Sequence, residues 1–208
     1  PAKSTIDSVS YIMGAGDGKG LIESFEKTGI DTLIRVDIYL DALIASAKKK
    51  EVKLEGEANM PMVNEFFTEI KEKELTAQFG ANKTAGEEFL AKNKAVEGVI
   101  ETESGLQYQI IKEGKGPRPT INDQVKVDYV GTLLDGTEFD SSIKRGEPVV
   151  FGVGQVIKGW TEALQLMPVG SKYKLFIPYD IAYGTRDMGK IKPFSMLIFE
   201  VDLIEIVK

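Results

Sequence analysis

Tyr129, Phe139, Phe151 and Trp160 fall within one stretch, Val127 to Trp160 (VDYVGTLLDGTEFDSSIKRGEPVVFGVGQVIKGW), in company with Asp140 and Arg145. Each ring is large enough to wall a cavity. The carboxylate and the guanidinium are close enough in sequence to pair across a tight loop. An apolar hollow with a polar rim is what these types build, although aromatic residues at strand spacing also fill plain cores and an Asp–Arg pair also serves to staple a loop. Composition narrows the chemistry further. With no Cys and no His, the chain lacks a Cys nucleophile, a Ser-His triad, thiolate or imidazole zinc ligands and an imidazole general base. No metal or cofactor is expected. The lack of Cys fits an oxidising compartment as well as a reducing one.

The 208 residues carry a net charge of −6 and are 42% hydrophobic, enough for ordinary cores in one large or two small domains. The acidic excess lies wholly before Ser104, where 19 acidic residues face 13 basic ones. A basic stripe able to neutralise phosphates is missing, and Lys48–Lys50 reads as a solvated helix end, so nucleic acid is not an expected partner. No apolar run reaches the roughly 18 residues of a membrane span. The first residues lack the basic-then-apolar pattern of a secretory leader, so the expectation is that none was present or that it has been removed.

The elements that must position the rings change character along the chain. Ile6, Val9, Ile12 and Met13 recur at helical intervals behind Ser4, a suitable N-cap, and predict a short helix over 4–13. The run Gly14–Gly20 is expected to break it, leaving Leu21, Ile22 and Phe25 on a second short helix that stops at Gly29. A third helix is expected over about 37–48. A fourth is expected from Pro61 to about Asn93, with proline at the first helical position, where its missing N–H costs nothing. Val63, Phe66, Phe67 and Ile70 give that helix an apolar start, whereas the charged run Lys71–Glu74 and the glycines at 80 and 86 predict a distal half in solvent. So few helices cannot bury their own apolar faces, which predicts a two-fold dimer held by them.

Beyond residue 95 the pattern alternates. Strands are expected at 105–114, with Leu106, Tyr108 and Ile110 on one face, and at 124–131, with Val125, Val127 and Tyr129 on one face. Asp135-Gly136 signals a hairpin, and 174–178 and 196–207 supply two more strands. A short helix over 158–167 presents Trp160, Ala163, Leu164 and Met167 on one side. The fold class is therefore α+β, an antiparallel sheet wrapped on one short helix behind an all-helical segment. The expected division is 1–60 as a helical dimerisation domain, 61–95 as a long connecting helix and 96–208 as the domain of the rings, expected to fold and act alone when cut at residue 105.

The stretches 127–142, VIKGW at 156–160, IPYDIAYG at 177–184 and MLIFEVDLI at 196–204 together strongly resemble the FKBP family of peptidyl-prolyl cis-trans isomerases. GEEFLAKNK at 86–94 and SGLQY at 104–108 are similar to the dimeric, envelope-associated FKBPs of the macrophage infectivity potentiator type. The resemblance implies Trp160 as the floor beneath a prolyl ring, with Tyr129, Phe139, Val156, Ile157 and Phe199 as walls and Phe151, Arg145 and Ile191 as further substrate contacts. It implies that Tyr183 donates its hydroxyl to a substrate carbonyl, that the Ile157 N–H holds another, and that Asp140 is a buried carboxylate held by Tyr129 and Arg145. It implies proline-containing unfolded or partly folded proteins and macrolide inhibitors of the family as partners, a homodimer, chaperone activity and a periplasmic or cell-envelope location. The alternative is a dimeric holdase chaperone whose pocket mainly grips proline-containing segments. Xaa-Pro rotation passes an uncatalysed barrier of about 18–20 kcal/mol through a twisted amide. It breaks no bond, so a chain without His or Cys is under no handicap.

Overall fold

The computed structural model describes residues 3–51 and 56–207. The chain divides into two compact units, one up to Asn64 and one from Glu65 onward.

The first unit is helical. Helix α1 runs unbroken over Lys3–Thr28, straight through the glycine run expected to interrupt it. Glycine in a helix costs about 1 kcal/mol relative to alanine but leaves the hydrogen-bond ladder intact, and no proline lies in that span. Gly29, left-handed at φ 70°, ends it. Helix α2 spans Val36–Ala47, and the Phe25 and Tyr39 rings of α1 and α2 meet edge to face at 5.1 Å. Helix α3 spans Gly56–Asn93. Pro61 thus sits inside α3 rather than at its first position, where it forfeits one bond near the helix start. Among the described residues up to Asn64 none is buried, and Ile12 and Leu43 are 68% and 48% exposed.

The second unit is one antiparallel sheet with the distal part of α3 and a short helix packed against it. Its strands are β1 (Val99–Glu101), β2 (Gln107–Lys112), β3 (Gln124–Thr132), β4 (Glu138–Ser141), β5 (Val149–Gly152), β6 (Lys172–Ile177) and β7 (Leu197–Val207). Their order is β1-β2-β6-β7-β3-β4, with β5 also paired to β3. Strand β3 is the spine: β7 lies along one edge, while β4 pairs with its end and β5 with its start on the other. Val125, Val127 and Tyr129 point inward as their alternation predicts. The hairpin at Asp135-Gly136 forms, with Leu133 N–H on the Thr137 carbonyl and Gly136 at φ 84°. The one-turn helix α4 (Ser142–Arg145) and the helix α5 (Lys158–Leu166) complete the unit, and α5 buries Trp160, Ala163 and Leu164.

The distal half of α3 is not in solvent. Gly86 and Asn93 are buried, Phe89 lies 5.7 Å from Phe176, and Gln107 donates to the Leu90 carbonyl at 2.9 Å while accepting from Asn93. What reads as a helix-weakening glycine is a contact point: a Cβ on Gly86 would meet the Met196 side chain at 3.3 Å. The same packing corrects the expected face of β2. Gln107 is fully buried beneath α3, while Ile110 is 40% exposed.

Candidate active site

Trp160 lies in the first turn of α5, where Ile157 stands as N-cap and its carbonyl accepts from Trp160 and Thr161 N–H. Its indole is 4% exposed and is met edge-on by Tyr129, Phe151 and Phe199, at centroid distances of 5.2, 5.8 and 5.1 Å. Phe139 meets Phe199 the same way at 5.4 Å. Edge-to-face contacts add about 0.5–1.5 kcal/mol each beyond the area they bury, so the rings lock one another. Trp160 Nε1 is buried with no hydrogen-bond partner, one polar atom in an apolar floor.

This close set depends on Gly131. It is the cross-strand neighbour of both Asp140 and Phe199, and a Cβ there would come within 2.7 Å of the Phe139 and Phe199 rings.

The polar rim follows from the DSSIKRG sequence (140–146). Ser141 caps α4 by accepting from Lys144 N–H, and Gly146, left-handed at φ 83°, ends it after a single turn. That turn brings Arg145 back onto Asp140. Arg145 also donates to Tyr129 Oη at 2.8 Å, and Tyr129 Oη donates to Asp140 Oδ2 at 2.5 Å. The triangle is closed by Ser141 N–H on Asp140 at 2.9 Å. Buried Ser142 supports it from behind, accepting from Tyr129 N–H and donating to Asp128. The Asp140 side chain is 42% exposed, so it is a half-open carboxylate at the pocket mouth and not the buried one expected. Burial raises its pKa, but bonds from Tyr129, Arg145 and Ser141 outweigh that and hold it below the usual carboxylate value. Burial and the Asp140 bond push the Tyr129 phenol up, keeping it a proton donor at neutral pH.

Tyr183 sits on the turn after β6. The Tyr179 carbonyl accepts from Ala182 and Gly184 N–H, at 3.1 and 2.8 Å. Arg186 donates to the Tyr183 carbonyl at 3.2 Å and lies over its ring at 5.6 Å.

These groups surround a cavity of about 960 Å³. Tyr129, Phe139, Asp140, Phe151, Val156, Ile157, Trp160, Tyr183, Ile191 and Phe199 all line it. Arg145 does not line it and acts through Asp140 and Tyr129. Sequence reasoning missed Gln155, Lys158, Asp180, Ala182, Arg186 and Met188, which also line it. Gln155 and Lys158 flank the Val156–Ile157 turn, and Asp180 and Ala182 lie inside the 177–184 motif, so neighbourhood to expected residues was the available signal. Among the described residues no cluster of three His, Cys, Asp or Glu side chains suited to a metal is present.

Residues 116–204 match the family described as FKBP-type peptidyl-prolyl cis-trans isomerase, and residues 6–110 match the domain amino-terminal to FKBP-type peptidyl-prolyl isomerase. The chain belongs to the FKBP-type peptidyl-prolyl cis-trans isomerases. It is 42% identical over its whole length to the FKBP-type isomerase FkpA of Aeromonas hydrophila, 78% of which is covered. It is 41% identical to outer membrane protein MIP of Legionella longbeachae over 97% of this chain and 86% of that one. The crystal structure of FkpA from Escherichia coli aligns over 99% of this chain and 98% of its own, with TM-score 0.62 and 32% identity. A helical N-terminal region with one long helix, followed by an antiparallel FKBP sheet, is thus the architecture of this chain and of that relative.

Proposed function

We propose that the cavity takes up an Xaa-Pro segment of an unfolded or partly folded protein and accelerates rotation about its prolyl bond. The prolyl ring rests on Trp160, walled by Tyr129, Phe139, Phe151, Val156, Ile157, Ile191 and Phe199. In the twisted amide resonance is lost and charge separation falls, so an apolar floor favours it over the planar ground state. The Tyr183 hydroxyl and the Ile157 N–H, which lies outside the ladder of α5, hold the flanking carbonyls. Binding the twisted form more tightly than the planar one is the catalysis. Asp140, kept ionised by Tyr129 and Arg145, faces the reacting amide. The observation that carries this reading is the hollow itself: three rings closed on one indole, a fourth closed on Phe199, and beside them the half-open triangle of Tyr129, Asp140 and Arg145. A cis-to-trans assay on Xaa-Pro peptides tests it, with a macrolide inhibitor of the family expected to abolish the acceleration. Tyr183→Phe combined with Asp140→Ala should lower kcat/KM, and no acceleration by wild type would sink the reading.

The helical region supports further proposals. Its exposed apolar side chains, with none buried among the described residues up to Asn64, fit a homodimer held through 1–60, with 61–95 as the connection and 96–208 carrying the site. Ile12→Asp with Leu43→Asp should give monomers by light scattering while short-peptide turnover stays at the wild-type level. A wild type already monomeric at tens of micromolar, a concentration above roughly micromolar affinities, removes the dimer. The same surface favours a chaperone role as the second reading. Tyr183→Phe with Asp140→Ala should then lose proline-limited refolding yet still suppress client aggregation. The name of the Legionella relative, an outer membrane protein, favours the periplasm or cell envelope, which fractionation of the source cells would test.

A further inference from the structure

Helix α3 touches the base of a loop that lines the pocket. Asn82 Nδ2 donates to the Pro193 carbonyl at 3.1 Å. One residue on, Lys83 Nζ lies 5.8 Å from the centre of the Tyr179 ring. One turn further, Gly86 lies against Met196. Pro193 and Phe194 close the loop 184–194, from which Arg186, Met188 and Ile191 enter the cavity lining. The loop is tied at its neck by Phe194 N–H on the Gly184 carbonyl and across its tip by Met188 N–H on the Ile191 carbonyl, each at 2.9 Å. Phe194 adopts φ 61°, a left-handed backbone that a residue with a Cβ rarely takes. Its buried ring meets Tyr179 edge-on at 5.4 Å. A conformation of that kind persists only where its surroundings hold it. Here the surroundings are Tyr179 on one side and α3, through Asn82, at the adjoining carbonyl.

We propose that Asn82 is a positioning residue for substrate binding, fixing the neck of loop 184–194 so that Arg186, Met188 and Ile191 meet the residues flanking the proline. The inference rests on the isomerase reading for its kinetic consequence but not for its structural one. Asn82 touches no reacting atom. It lies outside the motifs of the catalytic half, on the long helix whose distal part the sequence places in solvent.

The experiment uses the full chain and two readouts. In Asn82→Ala, hydrogen exchange at the Met188 and Phe194 amides should speed up. KM for Xaa-Pro peptides should rise about two- to tenfold, the range one ordinary hydrogen bond spans, with kcat little changed and the rise dependent on the residue before proline. Asn82→Gln, which keeps a donor, should recover part of both. Phe89→Leu loosens α3 against Phe176 away from the loop, and should lower the melting temperature while leaving both readouts alone. Unchanged exchange in Asn82→Ala overturns the proposal whatever the kinetics. Faster exchange with unchanged KM in an active enzyme overturns the functional role. The same KM rise in Phe89→Leu reduces Asn82 to general stability and also overturns it. A wild type without isomerase activity strikes the isomerase reading instead, and exchange still decides the positioning.

Discussion

The helices up to Asn64 and the sheet after Gly105 are written in similarly apolar residues and end in opposite states. Every buried apolar side chain among the described residues lies after Gly105, whereas Ile12, Met13, Leu43, Ile44 and Met62 remain open before Asn64. The difference is topological. Strand β3 pairs with β4, β5 and β7, drawing residues 124–207 onto one face across long sequence separations, and α5 closes that face. Among its described residues the first unit has only α1, α2, a single 3-10 turn between them and the start of α3, with no sheet of its own to close. Apolar content therefore says that a surface must be covered, and connectivity decides whether the same chain can cover it.

The most direct way to break this contrast is to make a large truncation in each region. Trp160→Ala should lower stability by about 3–5 kcal/mol and abolish peptide turnover, since it removes the floor on which three rings stand. Leu43→Ala, at a residue 48% exposed within one chain, should cost about 0.5 kcal/mol or less in dilute solution, with a larger loss only as concentration rises. Chemical denaturation at two protein concentrations checks both. A concentration-independent loss at Leu43 as large as that at Trp160 would erase the contrast.

The second way concerns where the sheet unit begins. A fragment starting at residue 105 keeps every lining residue of the pocket but loses α3 and the short strand β1. Removing Phe89 from Phe176 forfeits up to about 1.5–3 kcal/mol of burial, and the partners of Gln107 account for about 0.5–1.5 kcal/mol per hydrogen bond. Fragment 105–208 should melt well below fragment 65–208, with a higher KM. Equal melting temperatures would return α3 to a mere connector.

How far the sequence is legible follows the same division. The ring set, the Asp135-Gly136 hairpin, the buried face of α5 and the inward face of β3 are all readable, because each rests on local period or turn chemistry. The continuity of α1 is not, because glycine weakens a helix without stopping it. The packing of α3 is not, because Gly86 has no side chain to advertise a contact; its meaning lies in Met196, 110 residues away. Strands β1 and β5, three and four residues long, are too short to show a period. Arg186 and Met188 enter the pocket from a charged loop whose course is set by Phe194 and not by any motif.

Glycines supply the third test. Gly131→Ala places a Cβ within 2.7 Å of two pocket rings and should cost about 1–3 kcal/mol with a fall in turnover. Gly16→Ala meets nothing within 4 Å and should stabilise α1 by about 1 kcal/mol, leaving turnover unchanged. The same substitution then has opposite signs in the two regions, read by thermal melts beside the peptide assay.

The smallest effect is electrostatic. Asp37 is held low chiefly by its exposed hydrogen bond with Arg35. Asp140 is held low although burial pushes it up, because Tyr129, Arg145 and Ser141 outweigh that. In both, the folded value lies beneath the unfolded one, so the stability each contributes is present above the ordinary carboxylate value of 3.8. It is lost as pH falls through the lowered folded value. Of these two, Asp140 borders the cavity and Asp37 does not, so protonation of Asp37 should not be visible in turnover. Activity should stay level from neutral pH down to the ordinary carboxylate range and fall beneath it. Tyr129→Phe removes a hydrogen bond that lowers Asp140 and should move that acid limb toward neutral pH, while Asp37→Asn leaves it in place. Added salt should move the limb the same way as Tyr129→Phe, because a carboxylate 42% exposed is screened from Arg145. An acid limb that stays fixed in Tyr129→Phe would mean that Asp140 is not the group whose charge the pocket uses.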